Sequence, residues 1–332
     1  MMPMAARILI AAVAFAMMMG HAQAQAALDA DARDYPNRTI RIIVPFPPGG
    51  PADIVARLVG QRMSEDWGQP VVVDNRAGGN TAIGAQAAAR SAPDGYTLFV
   101  PMDTTMVMNP LVTPNLPYDP LKDFAPITLL TKNMSLVVVR SDGPKTIKEL
   151  IAKAKANPGK LNMGAGTITS RLGALLFAKR AGIDVQLVPF KGSAEIGQAV
   201  LAGTVDFALD STGTSLPLIQ AGRYRALAKY SNRPLAILPD VPSLAVAADL
   251  PGLDESSTWA ALVAPAGTAA AIIDKIHREV ASIYADAAMS AKLEKMGILP
   301  TASTPAELDA FIRSETERWS KVFKDSGNIK LD

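Results

Sequence analysis

The sequence predicts an α/β protein made of two lobes, each a β-sheet covered by helices. Three observations lead there. Past Asp34, short runs rich in Val and Ile alternate with stretches whose apolar residues recur at helical spacing. Glycine-rich loops join strand to helix at repeated points in this rhythm, the pattern of a parallel sheet with covering helices. The rhythm is also interrupted twice, near residues 131–136 and at the turn-rich "LPGLDESS" of residues 250–257, which divides it into two runs.

In chain order, "TIRIIVPF" reads as a strand from its β-branched content, and "ADIVARLVGQRMSED" as a helix with Ile54, Val55, Leu58, Val59 and Met63 on its apolar side. "PVVVDN" is a second strand, "TAIGAQAAARSA" an alanine-rich helix ended by Pro93, and "YTLFVPM" a third strand. "SLVVVR" resumes the pattern. "TIKELIAKAKANPG" follows as a helix capped by Thr146 with Glu149 three residues on, and stopped at Asn157-Pro158-Gly159. "LNMGAG", "DVQLVPF", "VDFALD", "YRALAKYS" and "WAALVAP" are strands, while "SRLGALLFAKRAG" and "SAEIGQAVLAG" are helices closed by Gly182 and Gly203. Residues 268–297 and 304–327 read as two long amphipathic helices, which a two-lobed fold could return to the first lobe.

Composition narrows the chemistry. The 332 residues are 49% hydrophobic and 19% charged, the balance of a globular chain. A net charge of +2 offers no field for nucleic acid or an anionic membrane. There is no cysteine, which removes thiol catalysis, disulfides and thiolate metal sites together. Only His21 and His277 are available to a triad or a zinc site, and no G-x-S-x-G elbow occurs. The start of the chain reads as a secretory leader. Arg7 precedes an apolar run from Ile8 to Met19, followed by Ala22-Gln23-Ala24 and Ala24-Gln25-Ala26, which each fit a small-residue cleavage rule. The run is shorter than the ~20 residues a bilayer span needs, so cleavage after residues 1–26 and export to the periplasm are expected.

Four strand-end loops carry the candidate site. In "VPFPPGGPAD", Gly49 and Gly50 let backbone approach a ligand, and the helix that follows presents free N–H groups and a positive dipole end. It has no phosphate-loop pattern, and a plain strand-to-helix turn with Asp53 in the first helical turn explains the loop equally well. "NRAGGNTAIGAQ" repeats the arrangement with Gly78, Gly79 and Asn80. "MDTTMVMNP" offers Thr104 and Thr105, as carboxylate donors or as turn caps. "GAGTITS" is the counterpart in the second lobe, where Ser170 is a helix N-cap or a ligand contact. Asp206 and Asp210 flank "VDFALD", about 13 Å apart on one face of a strand, too far apart to share a metal or a proton. His277 reads as lying on a solvated helix face.

The ordered set "RIIVPFPPGGPAD", "VVVDNRAGGNTAIGA", "APDGYTL", "NLPYDPLKDFAPIT", "VPFKGSAEIGQAVLAGTVDFALD", "LPDVPSLAVAADLPGL" and "WAALVAPAGT" resembles the substrate-binding proteins of tripartite tricarboxylate transporters, the Bug family, over essentially the whole mature chain. The resemblance implies a type II periplasmic binding-protein fold, with residues 34–133 and 258–332 forming one α/β domain and residues 134–257 the other. It implies a ligand cleft between them and no cofactor. Carried over by position, it points to Phe46, Pro48, Gly49, Gly50 and Asp53 in the first loop, and to Thr105, Ser170 and Asp210. Asn80, Thr104, Gly166 and Thr167 join them from the neighbouring loops. Two histidines of the family pattern are missing: Met106 and Arg171 stand in their places. Arg171 is a carboxylate clamp on one reading and a solvated arginine on another.

The resemblance further implies a non-catalytic protein, expected to act as a monomer. It would trap a small organic anion (a di- or tricarboxylate or an aromatic carboxylate) by hinge closure and deliver it to a two-component membrane permease. A periplasmic sensor partner that presents ligand to a signalling protein is the first alternative, and an exported α/β hydrolase the second.

Overall fold

A computed structural model describes residues 34–190, 192–251, 253 and 257–325, so the expected leader lies outside the described residues. β1 (Ile40–Val44) shows why the strands are apolar without alternation. Ile40, Ile42 and Val44 enter one core while Ile43 enters another on the opposite face. A strand buried on both faces needs no polar side. β2 (Val71–Asn75) and β3 (Thr97–Phe99) flank β1 in parallel register.

The expectation of a parallel sheet holds only in part, because the sheet is mixed. β4 (Phe124–Arg140) is a single 17-residue strand, where the sequence suggested a break and a strand beginning at Ser135. Its residues 124–134 pair antiparallel with β9 (Ser257–Pro265), which in turn pairs antiparallel with β3. From Ser135 onward β4 changes partners and runs between β7 (Phe207–Ser211) and β8 (Tyr224–Lys229), antiparallel to both. β5 (Asn162–Ala165) and β6 (Gln186–Pro189) extend that half in parallel beyond β7. The strand therefore has two sets of neighbours that meet at Met134/Ser135. Its inward residues divide the same way: Ile127 and Leu130 enter the core of the first half, and Val137 and Val139 that of the second.

Helices cover both halves. α1 (Pro51–Trp67) starts with Pro at its first turn and ends at Gly68 in the left-handed conformation, and it buries Val55, Val59 and Met63 against β1. α2 (Ala82–Ala89) follows a short 3₁₀ turn over Gly79–Thr81. One turn of π-helix at Thr104–Met108 leads into α3 (Asn109–Val112). In the second half, α4 (Ile147–Ala156) begins as expected, with the Thr146 side chain accepting from the Glu149 amide at 3.1 Å. α5 (Ile168–Ala181) and α6 (Ser193–Ala202) end at Gly182 and Gly203. α7 (Thr212–Gln220), with Pro217 inside it, and the one-turn α8 (Leu244–Ala247) are helices the sequence pattern did not reveal.

The first of the two C-terminal helices expected from sequence is two. α9 (Ala270–Ala285) ends at Asp286, whose extended backbone breaks the helix and whose carboxylate accepts from the Ala288 amide to start α10 (Ala287–Lys295). α9 buries Ile272, Ile276, Val280 and Ile283 in the core of β1. α11 (Pro305–Asp325) buries Leu308, Ile312 and Trp319 beside Phe99 and Trp259. Both thus pack on the first half of the sheet. His277 on α9 is half-buried, with Nδ1 enclosed, rather than on a solvated face.

Candidate functional site

The two halves face each other across a cleft with two adjoining chambers, which share Phe46, Pro47, Thr167 and Glu195 as walls. The inner chamber is ≈ 90 Å³ and the outer ≈ 760 Å³. The loop after β1 supplies Phe46, Pro47, Pro48, Gly50 and Pro51 to the inner chamber. Gly166 and Asn80 lie in the outer one, Thr167 in both, and Ser170 and Asp210 in the inner one. Thr104 lines the outer chamber, and its hydroxyl is buried without a hydrogen-bond partner.

Three residues singled out from sequence do not line either chamber. Gly49 takes a left-handed φ of 87° and donates its amide to Asp53 at 2.9 Å. Asp53, 3% exposed, also receives Arg57 Nε and the Asn75 side-chain amide, at 3.0 Å each, so it ties the first turn of α1 to the loop and to β2. Burial pushes its carboxyl up, but the bonds from Arg57, Gly49 and Asn75 outweigh this and hold it below the usual range. Asp53→Ala is expected to cost about 1–3 kcal/mol, because it removes the buried carboxylate that accepts from the Gly49 amide, the Asn75 side-chain amide and Arg57 Nε. In the wild type this contribution is present above the unfolded pKa and is lost as pH falls through the lower folded one. The stability difference between the two proteins in denaturant unfolding should therefore narrow as pH falls through that range. Thr105 is likewise buried, donating to the Thr81 hydroxyl at 2.9 Å and stitching the third loop to the second.

The local folding of the second half explains its contribution. Thr167 is the cap of α5, where sequence offered Ser170. The Thr167 hydroxyl accepts from the Ser170 amide at 3.1 Å, and the Ser170 hydroxyl accepts from the Thr167 amide at 3.0 Å, a closed capping box. Asp206 faces outward, receiving Lys153 Nζ at 3.1 Å and the Asn162 amide at 3.0 Å. Asp210 turns inward, 3% exposed, with one oxygen accepting from Thr214 and Ser215 hydroxyls at 2.9 Å.

Sequence reasoning missed several lining residues. Ser135 on β4 and Thr258 on β9 both line the inner chamber, and the Thr258 hydroxyl is buried without a partner. No signal in the sequence sets them apart from the other hydroxyl residues of the same strands, Thr128 and Thr131 in β4 and Ser257 in β9. Glu195 and Gly192 come from the start of α6, and Met102 from the end of the β3 segment. Beside them, but lining neither chamber, is Asp103. It is fully buried and accepts a hydrogen bond from the Thr169 hydroxyl of the opposite half. Burial raises its pKa to about 7. Among the described residues lining the two chambers, Arg171 is the one cationic side chain.

The electrostatics of the inner chamber come from backbone. α1 has Gly50 as its N-cap and α6 has Gly192, and neither helix has a side-chain cap hydrogen bond. The early amides of these two helices, at Ala52 on one side and at Ala194 and Glu195 on the other, have no intrahelical acceptor, and these residues line the same chamber. Such a pair of helix starts attracts an anion.

Known proteins with this sequence and shape lead to the same kind of molecule. The sequence profile of the tripartite tricarboxylate transporter family receptor matches residues 55–328. A Pseudomonas sp. (strain P51) protein from the tcbD-tcbE intergenic region is 38% identical over 319 residues, covering 95% of this chain and 93% of its own. BugT of Bordetella pertussis is 34% identical over 313 residues, 92% of this chain and 94% of its own. Among solved structures, an R. palustris protein with adipate superposes with a TM-score of 0.85 at 32% identity, covering 89% of this chain and 99% of its own. MatC from Rhodopseudomonas palustris with bound malate gives 0.80 at 31% identity, with 87% and 99% covered. Fold, cleft and sequence agree: this chain belongs to the tripartite tricarboxylate transporter receptor family, the Bug proteins.

Proposed function

We propose that this receptor captures a small organic acid in the periplasm by closing two domains on it, and passes it to a two-component membrane permease. The observation that carries the reading is the pair of uncapped helix starts, α1 from one half and α6 from the other, facing one chamber. A carboxylate between them accepts hydrogen bonds from both halves at once, so binding and closure become one event. The relatives solved with adipate and malate are of the matching ligand chemistry.

The domains we assign are residues 34–133 with 258–332, and residues 134–257. The change of partners in β4 at Met134/Ser135 supports the first boundary, and the start of β9 the second. The protein acts without catalysis and as a monomer, and it reaches the periplasm through its cleaved leader. Phe46, Pro48, Gly50, Thr167, Ser170 and Asp210 contact the ligand in the inner chamber, while Asn80, Thr104 and Gly166 do so in the outer one. Gly49, Asp53 and Thr105 shape the loops behind them.

A thermal-shift screen of mono-, di- and tricarboxylates and aromatic acids tests the reading. An acid at 100 times its Kd stabilises the folded chain by about 2.7 kcal/mol. For a protein of this size that raises Tm by roughly 5 °C or more. If sugars or amines shift Tm while no organic acid does, the reading is wrong.

A further inference from the structure

We propose that Arg171 and Thr104 form a second anion-recognition point in the outer chamber, selecting acids with two ionised carboxylates over acids with one. The inference rests on the organic-acid reading above and deepens it. Arg171 leaves the first turn of α5 in the second half and lines the outer chamber. Its Nη2 donates to the Phe190 carbonyl at 3.2 Å, while its Nε is buried and has no hydrogen-bond partner. Burial lowers its pKa, as it does for any cation taken out of water, and among the described residues no carboxylate forms an ion pair with it.

A guanidinium held this way is incomplete, because a desolvated donor without an acceptor carries a free-energy cost that an anion would remove. Thr104 faces the same chamber from the first half, 2% exposed, with its hydroxyl also unpartnered. Two unmet donors from opposite halves on one chamber describe a place for a single acceptor group. The capping box of Thr167 and Ser170 already occupies the start of α5, so an anion here depends on Arg171 rather than on that helix end.

Charge and shape set the class of group. Arg171 and Glu195 are the charged side chains among the described residues on this chamber's wall. A planar carboxylate suits the guanidinium fork, which binds it with directed, charge-assisted bonds. With one carboxylate between the starts of α1 and α6 and a second at Arg171, the ligand spans the two chambers as a diacid. The apolar walls of Phe46, Pro47 and Ile168 favour a hydrocarbon linker between its ends. An arginine stays protonated through the working pH range, so Arg171 offers its charge to a second carboxylate constitutively.

The test is calorimetric titration with five matched pairs of straight-chain acids, butanedioate with butanoate up to octanedioate with octanoate. In the wild type, the best diacid should bind at least about tenfold more tightly than its monoacid partner, the gain expected of a buried charge-assisted bond. Arg171→Met should bring that ratio to within about threefold of one, and Thr104→Val should reduce it by roughly three- to tenfold. Arg171→Lys keeps the charge without the buried Nε and should give an intermediate ratio, which covers the case in which the methionine variant does not fold. Monoacids that match their diacid partners in the wild type overturn the inference. So does an equal loss for both members of a pair in Arg171→Met, the mark of a purely structural role. If the wild type binds none of the ten acids, nor any other organic acid in the thermal screen, the organic-acid reading itself falls and takes this inference with it. A wild type that binds organic acids but does not distinguish diacid from monoacid overturns the inference alone.

Discussion

Gly297→Ala is expected to lower Tm by roughly 6–10 °C, several times the effect of the same substitution at Gly222. Both glycines are left-handed, with φ of 73° and 66°, so alanine meets the same intrinsic cost of ~1–2 kcal/mol at each. They differ in what the new methyl group would touch. At Gly222 it meets nothing within 4 Å, whereas at Gly297 it would lie 2.6 Å from the Thr212 carbonyl oxygen and 3.1 Å from Gly213 Cα. Backbone cannot rotate away as a flexible side chain would, so one segment has to move.

That contact joins the two halves of the molecule. Gly297 follows α10 and lies between Leu293 and Ile298, which both enter the core of β1, and its carbonyl accepts from the Thr212 hydroxyl at 2.9 Å. Thr212 opens α7, directly after the strand that carries Asp210. Moving it displaces one wall of the inner chamber, so acid affinity should fall at least about tenfold in Gly297→Ala and stay near wild type in Gly222→Ala. Paired melting curves and titrations of the two variants check this. Equal Tm losses at the two positions would mean that the approach of Gly297 to Thr212 is not tight.

Much of this arrangement was legible because strand-to-helix loops announce themselves. Prolines and glycines after an apolar run marked the first loop, glycines the second, and hydroxyls after a glycine the start of α5. What stayed hidden follows from the same physics. β4 passes through Pro126, Lys132 and Asn133, which look like a break, yet its length comes from pairing with β9 and then with β7 and β8, contacts distant in sequence. α7 holds Gly213 and Pro217, poor helix residues that tertiary packing overrides. Asp53 reads from sequence as a helix-start acid near a ligand loop. Its three hydrogen-bond partners come from α1, the loop and β2, and only the fold brings them together. Thr258 and Ser135 are ordinary strand residues until the two halves face each other. The interior acid Asp103 sat beside two threonines that looked more like donors.

Asp103→Asn should raise stability at pH 8 and change it little at pH 5. Asp103 is fully buried, and burial is the first cause of its raised pKa; the nearby Glu315 carboxylate on α11 adds to it. The Thr169 hydroxyl and the amides of Trp259 and Thr104 pull the other way and leave the value at about 7, against 3.8 for an unperturbed carboxyl. Glu315 is itself paired with Arg318 at 2.8 Å. Because the folded pKa lies above the unfolded one, the folded protein binds the proton more tightly between the two values. Stability from this group is therefore fully present below about 4 and is lost as pH rises through about 7. Above that, the fold holds an ionised carboxylate in its interior at a cost on the order of 2–4 kcal/mol. Asparagine keeps an oxygen to accept from Thr169 and has nothing to ionise. The variant's advantage in denaturant unfolding should therefore grow by about 2 kcal/mol or more from pH 5 to pH 8. Thr169 belongs to the first turn of α5, the turn that carries Ser170 and Arg171 to the cleft; its hydroxyl bonds the ionised carboxylate more strongly than the protonated one, which is why it opposes the rise in pKa. Parallel stability curves for the two proteins across that range would show that Asp103 does not titrate there.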